Sequence, residues 1–163
     1  KDYSAQSTIA PLSDDIDSIE VVWNSTFEMW LINFYATDPP RQDFYMFNGM
    51  RNGVLITDSI QKVNISNDRL YNGNYTYGIS VMFIEGEELE PGDTFTLVLS
   101  NITEDYANFV NEVQTEIYPA NPLFSGPPAN VSSNISNGAL GWFTAYKSAF
   151  TSTVVGERVD PEE

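Results

Sequence analysis

The chain has 163 residues, of which 42% are hydrophobic and 13% aromatic, enough for one domain with a sizeable core. Its 23 acidic residues face seven lysines and arginines, and the resulting net charge of −16 argues against nucleic acids and anionic membrane surfaces as partners. Cysteine and histidine are both absent, which excludes disulfides, thiolate or histidine catalysis and the usual zinc sites.

The first part of the chain predicts two strands. Residues 1–15 are polar and form a predicted extended linker before a domain that spans residues 16–155. A strand is predicted over Ile16–Trp23. The next run, Phe27–Ala36, is apolar at both alternating sets of positions, a pattern typical of a central strand covered on both faces.

A hairpin is predicted around Asn52 and Gly53. These residues separate two strand-like runs, Phe44–Met50 and Val54–Ile60. Asn-Gly favours a type I′ turn because both central residues of that turn need positive φ. Two further alternating strands follow, on either side of an acidic connection over residues 85–93: Tyr75–Ile84 and Thr94–Ile102.

The spacing of apolar residues along the chain then changes from that of a strand to that of a helix. Residues 103–118 carry apolar side chains at helical spacing, with Thr103 as the expected N-cap and Pro119 as the stop signal. A long ordered loop is expected over residues 119–139, because turn-forming residues there alternate with apolar ones. Leu140–Val155 is predicted to form a final strand or a bent pair of strands, and residues 156–163 are a predicted frayed tail.

Together these elements predict an all-β fold. Several short strands separated by turns, with one amphipathic helix, indicate an Ig-like antiparallel β-sandwich.

The candidate ligand-binding residues are aromatic residues of the chain and asparagines of the long loop. Flat aromatic rings stack on sugars, and the amide groups of the loop can form hydrogen bonds with sugar hydroxyl groups. The same rings are also ordinary core residues, and the loop also reads as a connection that covers a sheet edge. The residues selected are Tyr71, Tyr75, Trp142, Asn130 and Asn134.

Two acidic clusters, residues 14–17 and 85–93, are candidate calcium ligands, but neither has the spacing of an EF-hand. Solvated acidic turns are the simpler interpretation. We therefore assign no metal site, no cofactor and no catalytic residue.

The run Pro122–Tyr146 carries the elements Pro-Pro-x-Asn-Val, Ser-Asn-Ile and Gly-Ala-Leu-Gly-aromatic-Phe. Matching pieces precede it in the same order: Thr8–Ile19, Asp38-Pro39-Pro40, Pro91–Thr94 and Asp105-Tyr106. In these features the chain resembles a Bacteroidetes family called domain of unknown function 4249.

The resemblance implies a cellular location more than an activity. Members resemble cell-surface lipoproteins of the outer membrane, held by a lipid anchor outside this fragment, and are associated with TonB-dependent uptake. Many have an additional N-terminal β-rich half, so we expect this chain to be a C-terminal portion. The family implies no catalytic residues.

The expected function is a non-catalytic module, accessory to TonB-dependent nutrient uptake, that binds a ligand or the TonB-dependent outer-membrane receptor. A glycan or a peptide is the expected ligand class. Two alternatives stay open. One is a carbohydrate-processing enzyme that uses paired carboxylates, and the other is a structural or adhesive domain that packs on a missing N-terminal half.

Overall fold

Strand pairing divides the molecule into two antiparallel sheets. The structure is a computed structural model that describes residues 1–11, 16–117 and 131–159. The first sheet has the order β1-β2-β6, and the second has the order β4-β3-β7-β8 with β5 paired to the other half of β3. The strands are β1 (Ser18–Asn24), β2 (Met29–Tyr35), β3 (Phe44–Arg51), β4 (Val54–Leu55), β5 (Asn64–Asn67), β6 (Ile79–Glu85), β7 (Thr94–Ile102) and β8 (Lys147–Val154).

The hydrophobic core lies between the two sheets. Alternate residues of β2 and β7 supply three core residues each, because successive side chains of a strand point to opposite faces. Trp30 is fully buried, and its indole N–H donates to the carbonyl of Leu89 at 3.1 Å. The other large buried side chains include Ile32, Phe47, Met82, Phe95, Leu97 and Leu99.

The predicted all-β sandwich with one helix is confirmed. Strand β7 has the predicted bounds, Thr94–Ile102. The predicted hairpin is also confirmed: Asn52 and Gly53 both have positive φ, 50° and 79°, and they join β3 to β4.

Two strand predictions were wrong in extent, and one strand was missed. Val54–Ile60 contains only the two-residue β4, because Thr57, Asp58 and Ser59 divert the chain into turns. Strand β6 begins at Ile79 and not at Tyr75, since Tyr77 and Gly78 have positive φ of 51° and 77°. The polar strand β5 was not predicted, because Asn64–Asn67 has little apolar alternation and depends on pairing with β3.

The final strand was also predicted too long. β8 begins at Lys147, and residues 140–146 run without regular secondary structure before it. The backbone of Phe143 hydrogen-bonds to the Asn134 side chain, and the rings of Trp142 and Tyr146 pack on rings of the helix that follows β7. The apolar run from Leu140 to Tyr146 therefore reflects loop packing and not a strand.

One helix, α1 (Glu104–Ile117), follows β7 and packs on the outside of the second sheet. The hydroxyl of Thr103 accepts the backbone N–H of Tyr106 at 3.3 Å, which confirms the predicted N-cap. Ala107 and Val110 are its buried residues. Ala107 packs with Met46 of β3 and Ile102 of β7, so the helix covers one end of this sheet face.

Three buried aspartates lie at one end of the sandwich. Asp38 accepts the hydroxyl of Tyr45 at 2.6 Å, and Asp43 pairs with Arg41 at 2.8 Å. Asp68 is fully buried, and its Oδ2 accepts the N–H of Asp43 at 2.8 Å. Its Oδ1 has no hydrogen-bond partner. Burial raises the pKa of Asp68 above 3.8, and the neighbouring carboxylates of Asp38 and Asp43 raise this pKa further.

The helix contact generates a stability prediction. We expect Val110→Asp to lower the free energy of unfolding by about 3–5 kcal/mol, because it forces a charge into a fully buried position. Asn108→Asp adds the same charge on the exposed side of α1 and should change it by less than about 1 kcal/mol. Urea denaturation of both variants measures the difference, and equal midpoints would contradict the packing of α1.

The buried carboxyl generates a prediction about pH. The folded pKa of Asp68 lies above the unfolded value, so the wild type loses stability as pH rises through the folded pKa. Asp68→Asn cannot ionise and keeps an acceptor for the Asp43 N–H. Its stability relative to wild type should therefore rise between pH 4 and pH 7.

Denaturation at both pH values measures this change, and Asp58→Asn is the matched control because its carboxylate is exposed. A relative stability of Asp68→Asn that falls with pH, or follows that of the control, would contradict a desolvated carboxyl at this position.

Candidate functional site: a groove on the outer face of the second sheet

The outer face of the second sheet is only partly covered. Residues of β3, β7 and β8 that alternate with the core residues point to this face, in cross-strand rows such as Asn48–Val98–Phe150. Helix α1 covers the end of the face around Met46 and Ile102. The remainder stays accessible: Phe150 keeps 64% of its surface exposed. The sequence therefore builds an apolar sheet surface that the helix does not fully bury.

This uncovered area forms a groove of about 500 Å³, which we call the outer groove. Its floor comes from β3, β7 and β8. The segment Leu55–Val63 forms one wall, and Tyr106 of α1 and Tyr146 contribute aromatic rings to the lining. The floor residues are Met46, Asn48, Met50, Val98, Ser100, Ser148 and Phe150.

Polar side chains of the lining form two hydrogen-bonded pairs. The hydroxyls of Ser100 and Ser148 lie 2.7 Å apart, and the hydroxyl of Thr57 donates to Asn48 Oδ1 at 2.7 Å. Asp58 is the one charged residue among the described residues that line the groove. The surface is therefore largely apolar, with neutral hydrogen-bonding groups.

Aromatic rings continue from the groove along α1. The ring of Tyr106 lies 6.4 Å from that of Tyr146 and 6.1 Å from that of Phe109, in both cases within 19° of parallel. Phe109 in turn packs on Trp142 at 5.4 Å. Burial raises the pKa of Tyr106, and the neighbouring Tyr146 raises it further, so the Tyr106 phenol is neutral at physiological pH.

The loop that supplies Trp142 and Tyr146 is fixed by the N-terminal segment. Residues 1–11 run beside it without regular secondary structure. Ser4 and Ser136 exchange two hydrogen bonds of 2.8 Å, since the Ser4 N–H donates to the Ser136 hydroxyl and the Ser136 N–H donates to the Ser4 carbonyl. The N–H of Ala145 donates to the Ser7 hydroxyl at 3.1 Å.

The side chain of Asn134 holds this loop, residues 131–146, in place, and we call it the braced loop. Its Nδ2 donates to the carbonyls of Gln6 at 3.1 Å and Phe143 at 2.7 Å, and its Oδ1 accepts the Phe143 N–H at 2.9 Å. A second anchor joins the loop to α1, where Glu112 accepts the N–H of Ser132 at 2.7 Å. That hydrogen bond lowers the pKa of Glu112.

The predicted ligand-binding residues do not converge on one surface. Tyr71 is half-buried and packs against the core between the sheets. Tyr75 forms an isolated antiparallel bridge with Thr37 before β6, and its ring lies 4.9 Å from that of Tyr77. Trp142 is two rings away from the groove, through Phe109 and Tyr106. Asn134 is engaged within its own loop, and Asn130 lies outside the described residues.

Sequence reasoning missed the groove residues themselves. Val98 and Phe150 occupy strand positions that alternate with core positions, yet both are apolar. Apolar residues at such positions indicate that the outer face of the sheet is either covered by another element or binds a ligand. The pairing of β7 with β8, which brings these two side chains together, cannot be read from either strand alone.

The acidic clusters yield no metal centre in the described part of the chain. No group of three or more carboxylates there is arranged to hold a metal ion. Asp14 and Asp15 of the first candidate cluster lie outside the described residues. Helix α1 is neither long nor apolar enough to cross a membrane, and the described residues contain no helix that is.

The sequence matches the profile of a family described as domain of unknown function (DUF4249) over residues 1–152. The chain belongs to this family. Membership confirms the predicted resemblance, and the match includes α1, the braced loop and β8 as far as Ser152. No curated protein and no solved structure is detectably similar to this DUF4249 chain.

The brace generates a prediction for this DUF4249 domain. Asn134→Asp removes both N–H donors and sets a carboxylate against two carbonyl oxygens, which should lower the free energy of unfolding by about 1–3 kcal/mol. Limited proteolysis should also cut the segment 1–11 faster. Asn111→Asp, on the exposed side of α1, is the control, and equal cleavage of the two variants would contradict the bracing role.

Proposed function

We propose that this chain is a non-catalytic binding module of a cell-surface lipoprotein that assists TonB-dependent nutrient uptake, with the outer groove as its ligand site. The observation that carries the binding role is the groove of about 500 Å³ with aromatic rings in its lining. Its volume lies within the range typical of small-molecule sites, which is about 300–1,000 Å³. Membership of the family, through its resemblance to surface lipoproteins, supports the location.

The lining favours a neutral ligand with apolar faces. Tyr106, Tyr146 and Phe150 offer aromatic surface, and Asn48, Ser100 and Ser148 offer neutral hydrogen-bonding groups. A sugar ring or an uncharged peptide has this combination of C–H faces and polar edges. The net charge of −16 disfavours an anionic ligand.

The lining also bears on the enzymatic alternative. Hydrolysis of a glycoside by two carboxylates needs both of them on the same cleft, about 5–10 Å apart. Among the described residues of the groove, the only carboxylate is that of Asp58. The buried Asp38, Asp43 and Asp68 accept hydrogen bonds from Tyr45, Arg41 and the Asp43 N–H, respectively, and do not line the groove. Binding without catalysis is therefore the better supported function.

Truncating the aromatic lining tests the ligand site. After a screen of neutral glycans and peptides, Tyr146→Ala and Phe150→Ala should each weaken the best ligand about tenfold, since each removes an aromatic anchor. Phe143→Ala is the matched control, because Phe143 is also exposed (52%) but does not line the groove. Calorimetric titration measures all three, and an equal loss with the control would contradict the site.

The accessory role has a separate test. We expect an affinity pull-down of the full-length lipoprotein from its native outer membrane to recover a TonB-dependent receptor in stoichiometric amount. Recovery of the lipoprotein alone would contradict a role in uptake while leaving the groove as a ligand site.

A further inference from the structure

The second exposed apolar area of the molecule lies on the first sheet, away from the outer groove. Strand β2 was predicted to be covered on both faces, but the outer face of this sheet is open. Phe27 and Phe83 keep 70% and 57% of their surfaces exposed. With Met29 and Leu31 they line an apolar pocket of about 250 Å³. This pocket adjoins β6, since Phe83 belongs to that strand.

Strand β6 is also a free edge of its sheet. It pairs with β2 on one side and with no described strand on the other. The pairing skips from Met82 to Ser80, so Val81 is an extra, bulged residue. Bulges protect edges from pairing, and here the bulge leaves a regular edge over Met82–Glu85. This stretch contains no proline or lysine, which are the residues that commonly block such edges.

A second pocket follows this regular edge. It has a volume of about 260 Å³ and is lined on one side by all four residues Met82–Glu85 and on the other by parts of the segment Ile56–Asn64. One pocket therefore lies on the outer face of the sheet and the other lies along the edge, between it and the segment Ile56–Asn64, with Phe83 contributing to both. The backbone of an added strand would pair with the edge, and the alternate side chains on its outer face would lie against the Phe83 pocket.

The end of the edge at Glu85 is acidic. Five glutamates line the pockets around it, against one lysine and one arginine: Glu28, Glu85, Glu87, Glu88 and Glu90, with Lys62 and Arg158. The Arg158 guanidinium lies 5.0 Å above the Trp23 ring and donates to the carbonyl of Gly86 at 2.9 Å. It also donates to the Glu90 carboxylate at 3.1 Å. This end therefore already holds one guanidinium, from a segment predicted to be frayed.

We propose that the free edge of β6 is a docking site for an extended segment of a partner protein, with apolar side chains at alternate positions and a basic residue at the end beside Glu85. The apolar pocket beside Phe83 would receive apolar side chains, and the excess of carboxylates selects the basic residue. A second copy of this chain is the weaker occupant, because two molecules of net charge −16 repel each other. This docking site is distinct from the outer groove, although Thr57 lines both the groove and the pocket along the edge.

The test uses synthetic peptides, so that the protein stays unchanged. The probe alternates valine and threonine over about eight residues, a common strand length, and ends in two arginines. We expect it to bind, to shift the NMR signals of Met82–Glu85 and to slow hydrogen exchange of β6 amides. Replacing both arginines with glutamate should weaken binding about tenfold or more. A version with two central prolines should lose the exchange protection, because proline lacks the N–H donor.

A matched pair of protein variants locates the site. Phe83→Ser should weaken the arginine peptide about fivefold or more, since it removes a side chain from both pockets. Val154→Ser should not, because Val154 is a similarly exposed apolar residue (65%) on β8. Tyr146→Ala, in the outer groove, should also leave peptide binding unchanged.

Three results would overturn the proposal. The first is no binding at millimolar peptide, and the second is binding that shifts Val98 and Phe150 in place of β6. The third is self-association of the chain without peptide, with β6 amides protected, because the occupant would then be a second copy.

Discussion

The alternation of side chains along β7 is the constraint on which most of this structure depends. Its odd-numbered residues Phe95, Leu97 and Leu99 are buried between the sheets, and Val98 and Ser100 lie in the floor of the outer groove. The strand pairs with both β3 and β8 over its length, so its register also sets theirs. A slip of one residue would exchange the two faces, removing the core and the groove together.

The two sheets use their outer faces differently. On the second sheet, α1 and the braced loop bring aromatic rings to the outside and leave a groove between them and the segment Leu55–Val63. On the first sheet, no described helix or loop covers Phe27 and Phe83. A concave groove walled by rings suits a small ligand, whereas an open edge beside an apolar pocket suits an extended chain. One sandwich can therefore present two unlike binding surfaces.

Sequence patterns correctly predicted the elements that form mainly through interactions between residues close together in the chain. The clean alternation of Thr94–Ile102 placed β7, Asn52-Gly53 placed a hairpin, and Thr103 placed the start of α1. Elements that depend on distant partners were not predictable in this way. Strand β5 is polar and exists through its pairing with β3.

The candidate sites were harder to predict than the fold, for the same reason. Trp142 was selected because it is aromatic, but its position is set by the packing of a loop on Phe109. Asn134 was selected for its amide, which the structure uses to join that loop to the N-terminal segment. Val98 and Phe150 meet only because of the β7–β8 register, a long-range pairing that neither strand reveals alone.

The acidic composition now has a structural interpretation that goes beyond solubility. A chain that exposes Phe27, Phe83 and Phe150 on strands and turns is at risk of edge-to-edge association. With a net charge of −16, like molecules repel over about a Debye length, roughly 8 Å at physiological salt, and this repulsion opposes such self-pairing. The same field attracts basic partners. Charge would therefore favour a basic partner over a second copy of this chain at exposed apolar surfaces, where hydrophobic contact alone does not discriminate. This preference acts during diffusional encounter, before the surfaces touch.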